Sequence, residues 1–226
     1  MQNRILVVMP TRGRKYQAQA AVENFIETSS GCADLSVLVD SDDVDTEIYV
    51  DHCRVTVKRI QRQSGMFVAF LRELILQSER YNILGFTGDD IRYRSYKWDA
   101  LVADNYTESK PFVIYGPDGI RTDRLPTHPF FHKSLITVLR NLAGEGCNHY
   151  YWDEALYTVA SALDSLIYLP EMRIEHLHHS VGKSAYDATY RNAEKLFESD
   201  KNAYQAYMRR AYAMDVALLR TQYLKT

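Results

Sequence analysis

Two adjacent carboxylates follow a short apolar run in the segment YNILGFTGDDIRYRSYKWD, where Asp89 and Asp90 come directly after Gly88. Two negative charges side by side repel each other, and partial burial strengthens that repulsion. A surface turn accounts for the pair, because Asp and Gly favour turns. A bound divalent cation also accounts for it, because hard cations prefer carboxylate oxygens. The rest of the chain has to distinguish these two interpretations.

A second group of reactive side chains lies in IEHLHHSVGK near the C-terminus. Alternate residues of a strand share one face, so a strand here places His176 beside His178 and turns Glu175 away. Imidazole is a common ligand of transition metals such as manganese. A structural histidine is the competing interpretation. Gly182 and Lys183 follow, and they indicate either a loop that closes over a diphosphate or a solvated lysine.

The elements that carry these residues alternate between strand and helix patterns. Because such alternation is typical of a parallel α/β sheet, we expect one here. Ligands bind such sheets at the carboxyl ends of the strands, and those ends carry the polar clusters PTRGR, DSDD and GDD. The patterns predict strands at 4–10, 34–43, 53–60 and 81–90, and helices at 11–30 and 65–79.

The second half continues with helix patterns at 96–109, 132–146 and 153–165, and with strand patterns at 111–119 and 166–179. The tail, 187–226, has a polar helical pattern. One apolar stripe in this tail predicts that the helix docks on the preceding domain. The stripe consists of Tyr204, Tyr207, Ala211, Met214 and Leu218.

Composition narrows the class of protein. The chain has 226 residues, 46% of them hydrophobic and 25% charged, which is typical of a globular protein with a substantial core. The net charge of −2 does not indicate a nucleic-acid partner. Three cysteines without C-x-x-C spacing favour a reducing compartment. The N-terminal apolar run is too short for a signal peptide or a membrane span, so we expect a cytoplasmic protein, in the host cytoplasm if it is viral.

The order of ILVVMPTRGR, LSVLVDSDD, ILGFTGDDIRYRSYKWD and IEHLHH resembles the GT-A fold glycosyltransferases related to family 2, especially a compact subgroup common in phages. A Rossmann dehydrogenase is disfavoured, because no G-x-G-x-x-G follows the first strand. The resemblance spans residues 4–191. It implies a GT-A type, Rossmann-like α/β fold at 1–191, with a mixed, mainly parallel sheet flanked by helices. Residues 192–226 would be a C-terminal helical extension packed on that domain.

The resemblance implies a metal site. In these enzymes an acidic D-x-D at a strand end holds Mn²⁺ or Mg²⁺, which binds the donor diphosphate. Gly88 replaces the first acid here. Asp90 is therefore the expected direct ligand, with Asp89 behind it or facing the ribose. A late histidine completes the metal shell in similar enzymes, which implies His176, with His178 as the close alternative.

The resemblance also assigns the loops after the first two strands to a nucleotide-sugar donor, expected to be a UDP-sugar. Thr11 and the neighbouring backbone would cradle the nucleoside, and Asp40 would accept hydrogen bonds from the base or ribose. Arg12 suits a phosphate, although a surface arginine is an equal alternative. Asp42 and Asp43 would cap or solvate the turn. The donor-binding set is Pro10, Thr11, Arg12, Arg14, Asp40, Asp89 and Lys183.

An inverting transfer needs a carboxylate that takes the acceptor proton. Family 2 enzymes often place it in an acidic pair at a helix start, which implies Asp153 in NHYYWDEAL. A plain helix cap is the alternative, and a retaining enzyme needs no such base. The stretch LPTHPFFHKS resembles an acceptor-side loop, in which His128, Phe130 and Phe131 flank a sugar or base, or simply pack.

The acceptor stays open. The phage-like subgroup suggests 5-hydroxymethyl pyrimidine in DNA, although the negative net charge counts against DNA binding. Glycosylation of a protein or a cell-wall glycan is the second possibility. A nucleotidyltransferase and a non-catalytic sugar-nucleotide binder are the rivals from other classes. A local DNA footprint would use the basic residues Arg121, Arg124, His128, Lys133 and Arg140.

Overall fold

The computed structural model describes residues 4–223 and contains a seven-stranded sheet and a separate two-stranded sheet. The strands are β1 (Ile5–Thr11), β2 (Ala33–Asp40), β3 (Val55–Ile60), β4 (Ile83–Phe86), β5 (Ile91–Tyr93), β6 (Val113–Tyr115), β7 (Phe130–His132), β8 (Leu166–Tyr168) and β9 (Ile174–His176). The large sheet has the order β3-β2-β1-β4-β7-β6-β8. It is parallel except at β7, which runs antiparallel to β4 and β6.

Helices cover both faces of the large sheet. They are α1 (Lys15–Thr28), α2 (Met66–Gln77), α3 (Trp98–Asp104), α4 (Ser134–Thr137), α5 (Trp152–Ala162), α6 (Ala188–Glu194), α7 (Phe197–Arg210) and α8 (Tyr212–Tyr223). Ile5 and Val7 of β1 pack in the layer with α1 and α3, whereas Leu6 and Val8 pack with α2, α5 and α8, because alternate side chains of a strand point to opposite faces. Within residues 4–223, no helix is long and apolar enough to cross a bilayer.

The two-stranded sheet connects distant parts of the chain. β5 follows the acidic pair directly, and it pairs antiparallel with β9 so that Ile91 lies opposite His176. The backbone N–H of Leu177 also donates to the carbonyl of Asp90, at 2.8 Å. This pairing places the residues after β4 beside the histidine segment, although more than eighty residues separate them in sequence.

The predicted helix at 132–146 is wrong for most of its length. Only α4 is helical there, and Arg140, Leu142 and Ala143 have φ angles of 62°, 49° and 61°, which a right-handed helix excludes. The short strands β5 and β7 were not predicted, because three residues are too few to show an alternating pattern.

The tail contains three helices, α6 to α8, where the sequence pattern predicts one. The interruption at Ala211 changes which residues face the core. Tyr207 is buried as predicted, but Met214 and Leu218 are 68% and 47% exposed. Val216 and Leu219 of α8 enter the core in their place. Because Ala211 interrupts the helix, residues at helical spacing on the two sides of this break do not share one face.

Candidate active site

A cavity of about 840 Å³ lies at the carboxyl ends of β1, β2 and β4. Ligands bind α/β sheets at this edge, and the volume suits a nucleotide-sized ligand. Ten of the residues that the sequence predicts for the site line it: Pro10, Thr11, Arg12, Arg14, Asp40, Asp89, Asp90, Asp153, His176 and His178. The tertiary structure therefore gathers clusters from five separate segments around one space.

Lys183 is the exception among the predicted residues. Its ammonium pairs with Glu175 at 2.7 Å, and it does not line the cavity. Glu175 also pairs with Arg94 on the outer face of the small sheet. In this structure Glu175 of β9 holds the ammonium outside the cavity, and a contact between Lys183 and the diphosphate stays a prediction.

Asp89 points inward, toward protein donors. The hydroxyl of Thr11 donates to its Oδ2 at 2.7 Å, and Nη1 of Arg14 donates to its Oδ1 at 3.0 Å. Burial and the neighbouring charge of Asp90 raise the pKa of Asp89, and Arg14 opposes that rise. Both oxygens of Asp89 are engaged by these donors, so it lies behind Asp90 and fixes the end of β1.

Asp90 faces a different set of groups. Its Oδ2 accepts a hydrogen bond from the hydroxyl of Tyr190 at 2.7 Å and lies 3.5 Å from Nε2 of His176. Burial would raise the pKa of Asp90, but the hydrogen bond and charge of His176 and the hydroxyl of Tyr190 lower it below the usual value. Asp90 is thus held as a carboxylate, the form that a metal ligand requires.

Asp90 and His176 fit a shared divalent cation. Two ligands bound side by side at about 2.1 Å from an octahedral ion lie about 3 Å apart, close to the observed 3.5 Å. The ring centroid of His178 lies 5.0 Å from that of His176. Within residues 4–223, no cluster of three or more His, Cys, Asp or Glu forms a ready-made metal site. Mg²⁺ commonly uses few protein ligands and takes the rest from water and phosphate, so two ligands are consistent with it.

Arg14 is the buried hub of this region, with a side chain only 6% exposed. Its Nε and Nη2 form a two-point ion pair with Asp187, at 2.7 and 3.0 Å, in addition to the contact with Asp89. The guanidinium carbon also lies 4.1 Å from the ring centroid of Tyr190. Burial opposes the charge, but Asp187 and the acidic pair raise the pKa of Arg14.

The start of α6 covers the cavity, and sequence reasoning did not identify it. Asp187 pairs with Arg14, and the hydroxyl of Tyr190 donates to Asp90. The hydroxyl of Thr189 donates to the carbonyl of Arg12 at 3.0 Å. The available signal was local: Asp187 is a helix N-cap that accepts from the N–H of Tyr190 at 3.0 Å. A cap pattern gives no information about a partner that lies 173 residues away.

The loops after β1 and β2 pair with each other. Arg12 donates to Asp40 and Asp42, each at 3.0 Å, and it remains one-third exposed. Asp43 accepts from the N–H of Gly13 at 2.8 Å and caps the turn, as predicted. Arg12 and Asp40 therefore border the cavity as an ion pair, with carboxylate oxygens directed at the loop that follows β1.

Asp153 lies at the opposite wall, on the first turn of α5. The N–H of Glu154 donates to its Oδ1 at 3.1 Å. Burial and the neighbouring charge of Glu154 raise the pKa of Asp153 well above its usual value. A carboxylate with a raised pKa is a stronger base when ionised, which suits proton abstraction from a hydroxyl. Its role as the base remains a prediction.

Of the residues predicted for the acceptor side, one lines the cavity and two pack in the core. Phe130 and Phe131 are fully buried in β7 and pack in the core. His128 borders the cavity, stacks on Phe86 and meets the edge of His176. Burial and the charge of His176 lower the pKa of His128 to about 3, so the side chain stays neutral. His128 therefore does not belong to the predicted set of basic residues that would contact DNA. His149, which was not predicted, also lines the cavity, and burial lowers its pKa to about 4.

Many solved structures resemble this fold, among them the following three. The mannosyltransferase PcManGT from Pyrobaculum calidifontis, solved with GDP-Man and Mn²⁺, is 13% identical, with a TM-score of 0.56 over 98% of this chain and 80% of its own. Glucosyl-3-phosphoglycerate synthase from Mycobacterium tuberculosis, solved with Mn²⁺, UDP-glucose and phosphoglyceric acid, is 16% identical, with a TM-score of 0.56 over 88% of this chain and 80% of its own.

The third, TarS from S. aureus, is 11% identical, with a TM-score of 0.52 over 92% of this chain and 73% of its own. No protein-family model matches the sequence, and no curated protein matches it. The comparisons confirm the predicted fold class: a Rossmann-like, mixed and mainly parallel α/β sheet of the GT-A type.

Proposed function

We propose that this protein is a metal-dependent glycosyltransferase that moves a hexose from a nucleotide sugar to a hydroxyl acceptor. The observation that carries the proposal is the pair formed by Asp90 and His176, 3.5 Å apart, at the strand-end edge of a cavity that also contains Asp153. Nucleotide sugars and Mn²⁺ are present in two of the proteins that share the fold, which supports this donor and this metal.

Each residue has a distinct task in the proposed reaction. Asp90 and His176 would hold Mn²⁺ or Mg²⁺, with His178 as the nearby alternative, and the ion supplies charge neutralisation for the leaving diphosphate. Arg14 compensates Asp89, so that two adjacent acids remain stable beside the ligand. Asp153 would accept the proton of the acceptor hydroxyl as the new glycosidic bond forms. If Asp153 is the base, the transfer proceeds with inversion, and the anomeric configuration of the product tests this part of the proposal.

The nucleoside would lie against the loops after β1 and β2. Leu38, Ile60 and Met66 line this end of the cavity and offer apolar contact for a base, and Asp40 offers carboxylate oxygens to base or ribose. We expect a UDP-sugar, with GDP-mannose as the test alternative because PcManGT was solved with it. Competition between UDP and GDP for binding, measured by calorimetry, decides the base.

For the acceptor we propose a 5-hydroxymethyl pyrimidine in phage DNA, on the strength of the sequence resemblance. Arg121, Arg124 and Arg140 are exposed and Lys133 is partly exposed, so four of the five predicted basic residues are able to contact phosphate. A protein or a cell-wall glycan is the alternative acceptor. A hydroxymethylated duplex and an unmodified duplex of the same sequence separate these cases after digestion to nucleosides.

One observation favours a non-catalytic nucleotide-sugar binder as the second candidate. Arg14 already neutralises Asp89 and lies 3.6 Å from Asp90, and the first acid of the D-x-D pattern is absent. A binder shows affinity for UDP without product, whether or not manganese is present. A nucleotidyltransferase, the remaining rival, releases pyrophosphate.

The deciding experiment measures products from UDP-glucose or GDP-mannose, with Mn²⁺ and with chelator. The proposal expects metal-dependent release of nucleoside diphosphate and a hexose-modified nucleoside from the hydroxymethylated duplex. If the donor is hydrolysed but no modified nucleoside forms, the glycosyltransferase proposal stands and the DNA acceptor is rejected. Binding without turnover, or release of pyrophosphate, rejects the glycosyltransferase.

A further inference from the structure

A buried carboxylate on α7 holds the loop that precedes Asp153. Asp200 is fully buried and accepts hydrogen bonds from three consecutive backbone N–H groups, those of Asn148 at 3.0 Å, His149 at 2.7 Å and Tyr150 at 2.9 Å. The side-chain amide of Asn148 donates to the same carboxylate at 3.2 Å. Consecutive N–H groups that converge on one anion form a tight, charge-assisted arrangement.

This loop, residues 148–150, joins the two walls of the cavity. On one side, the carbonyl of Asn148 accepts from the N–H of Phe67 at 2.9 Å, which fixes the start of α2. On the other side, the chain continues through Tyr151, at a φ of 65°, directly into the first turn of α5. His149, Tyr150, Trp152 and Asp153 all line the cavity. The position of Asp153 therefore depends on the loop.

We propose that Asp200 is a positioning residue for catalysis, which sets the orientation of Asp153 by fixing residues 148–150. The inference rests on the proposed function. It makes the C-terminal helices part of the machinery, because α7 contributes the acid around which the loop folds. A carboxylate is required for this role, since its four oxygen lone pairs accept all four donors and a carboxamide turns two hydrogens toward two of them.

The chain offers a matched control in Asp99. It is also fully buried, and it accepts from the four consecutive N–H groups of residues 30–33, at 2.6 to 3.2 Å. These residues lie at the amino end of β2, and none of them lines the cavity. Asp99→Asn thus breaks the same type of carboxylate-to-backbone contact at the opposite end of the sheet.

The experiment compares Asp200→Asn and Asp99→Asn with the wild type. Calorimetry with UDP counts the binding-competent sites and gives the dissociation constant, and donor hydrolysis is then expressed per binding site, which corrects for any misfolded fraction. We expect both variants to melt at lower temperature and both to bind UDP within about twofold of wild type. Turnover per site should fall about 100-fold in Asp200→Asn alone, the size that a small misplacement of a reacting group causes.

A second variant tests the inference in case Asp200→Asn does not fold. Asn148→Asp leaves Asp200 intact but sets a negative charge 3.2 Å from it, at a partly exposed position, and should lower turnover per site in the same direction. Equal turnover per site in Asp200→Asn and Asp99→Asn overturns the inference. So does wild-type turnover in Asn148→Asp if Asp200→Asn does not fold. If the wild type binds UDP but hydrolyses no nucleotide sugar, the proposed function fails first, and this inference fails with it.

Discussion

Removal of the Arg14 guanidinium should be among the most destabilising single changes in the chain. Arg14 compensates Asp89 at 3.0 Å and Asp187 at 2.7 Å, and the side chains of Arg14 and Asp89 are each only 6% exposed. Arg14→Met keeps a comparable apolar stem and removes the charge. Loss of one partner from a buried ion pair leaves an uncompensated charge and costs about 3–5 kcal/mol of unfolding free energy.

The matched control is Arg4→Met. Arg4 pairs with Asp34 at 2.6 Å, but its side chain is 52% exposed, so solvent screens the pair and the expected cost is about 0–1 kcal/mol. Urea unfolding followed by circular dichroism gives both values. For a domain of this size, about 2–4 °C of melting temperature corresponds to each kcal/mol, so Arg14→Met should melt roughly 6–20 °C below wild type.

The sign of the pH dependence provides an independent check. Burial acts to raise the pKa of Asp187, but the hydrogen bonds and charge of Arg14 lower it in the folded protein. A carboxylate with a lowered pKa stabilises the fold above its unfolded pKa of about 3.9, and that contribution is lost as pH falls through the folded pKa. The difference between wild type and Arg14→Met should therefore be full at neutral pH, begin to shrink below about pH 6, where Asp89 takes up a proton, and shrink further below about pH 4. A difference under about 1 kcal/mol at neutral pH, equal to that of Arg4→Met, refutes the reasoning.

Three further predictions address the site and its walls. Asp90→Ala should reduce transfer at least about 100-fold with little change in melting temperature, because the metal loses a ligand; full rate in chelator-treated buffer contradicts this. Asp153→Asn should reduce turnover about 10²–10⁴-fold without weakening UDP binding. Because the pKa of Asp153 is raised, the wild-type rate should rise with pH at higher values than an ordinary Asp gives, and the variant should lose that limb. Gly65→Ala should lower the melting temperature, because its Cβ would lie 2.2 Å from the carbonyl oxygen of Asn148; an unchanged melting temperature argues against this close contact.

Local patterns in the sequence were sufficient for the first half of the fold. β1, β2, β3 and α2 lie within a few residues of their predicted bounds, since each has enough residues to show a period. The same patterns failed at 130–146, where β7 has only three residues and the backbone adopts positive φ angles, although α5, β8 and β9 lie within a few residues of their predicted segments. Short elements take their conformation from neighbours in the sheet, as β7 does between β4 and β6.

The candidate site shows the same division. That acids follow β2 and β4 is a local fact, and a parallel sheet necessarily brings those strand ends to one edge. Which acid faces the cavity is not local: Asp89 is engaged by Thr11 and Arg14, and Asp90 by Tyr190 and His176. Adjacent residues with identical side chains acquire opposite pKa shifts because their partners come from different parts of the chain.

The sequence alone determined the alternating elements, the strand-end edge on which the polar clusters meet, and the residue types available for metal, donor and base. Only the tertiary structure decided the pairing of β5 with β9, the ion pair between Arg14 and Asp187, and the hold of Asp200 on the loop before Asp153. The physical reason is range. Hydrophobic periodicity is written into consecutive residues, whereas a buried charge takes whichever partner the folded chain brings within hydrogen-bonding distance.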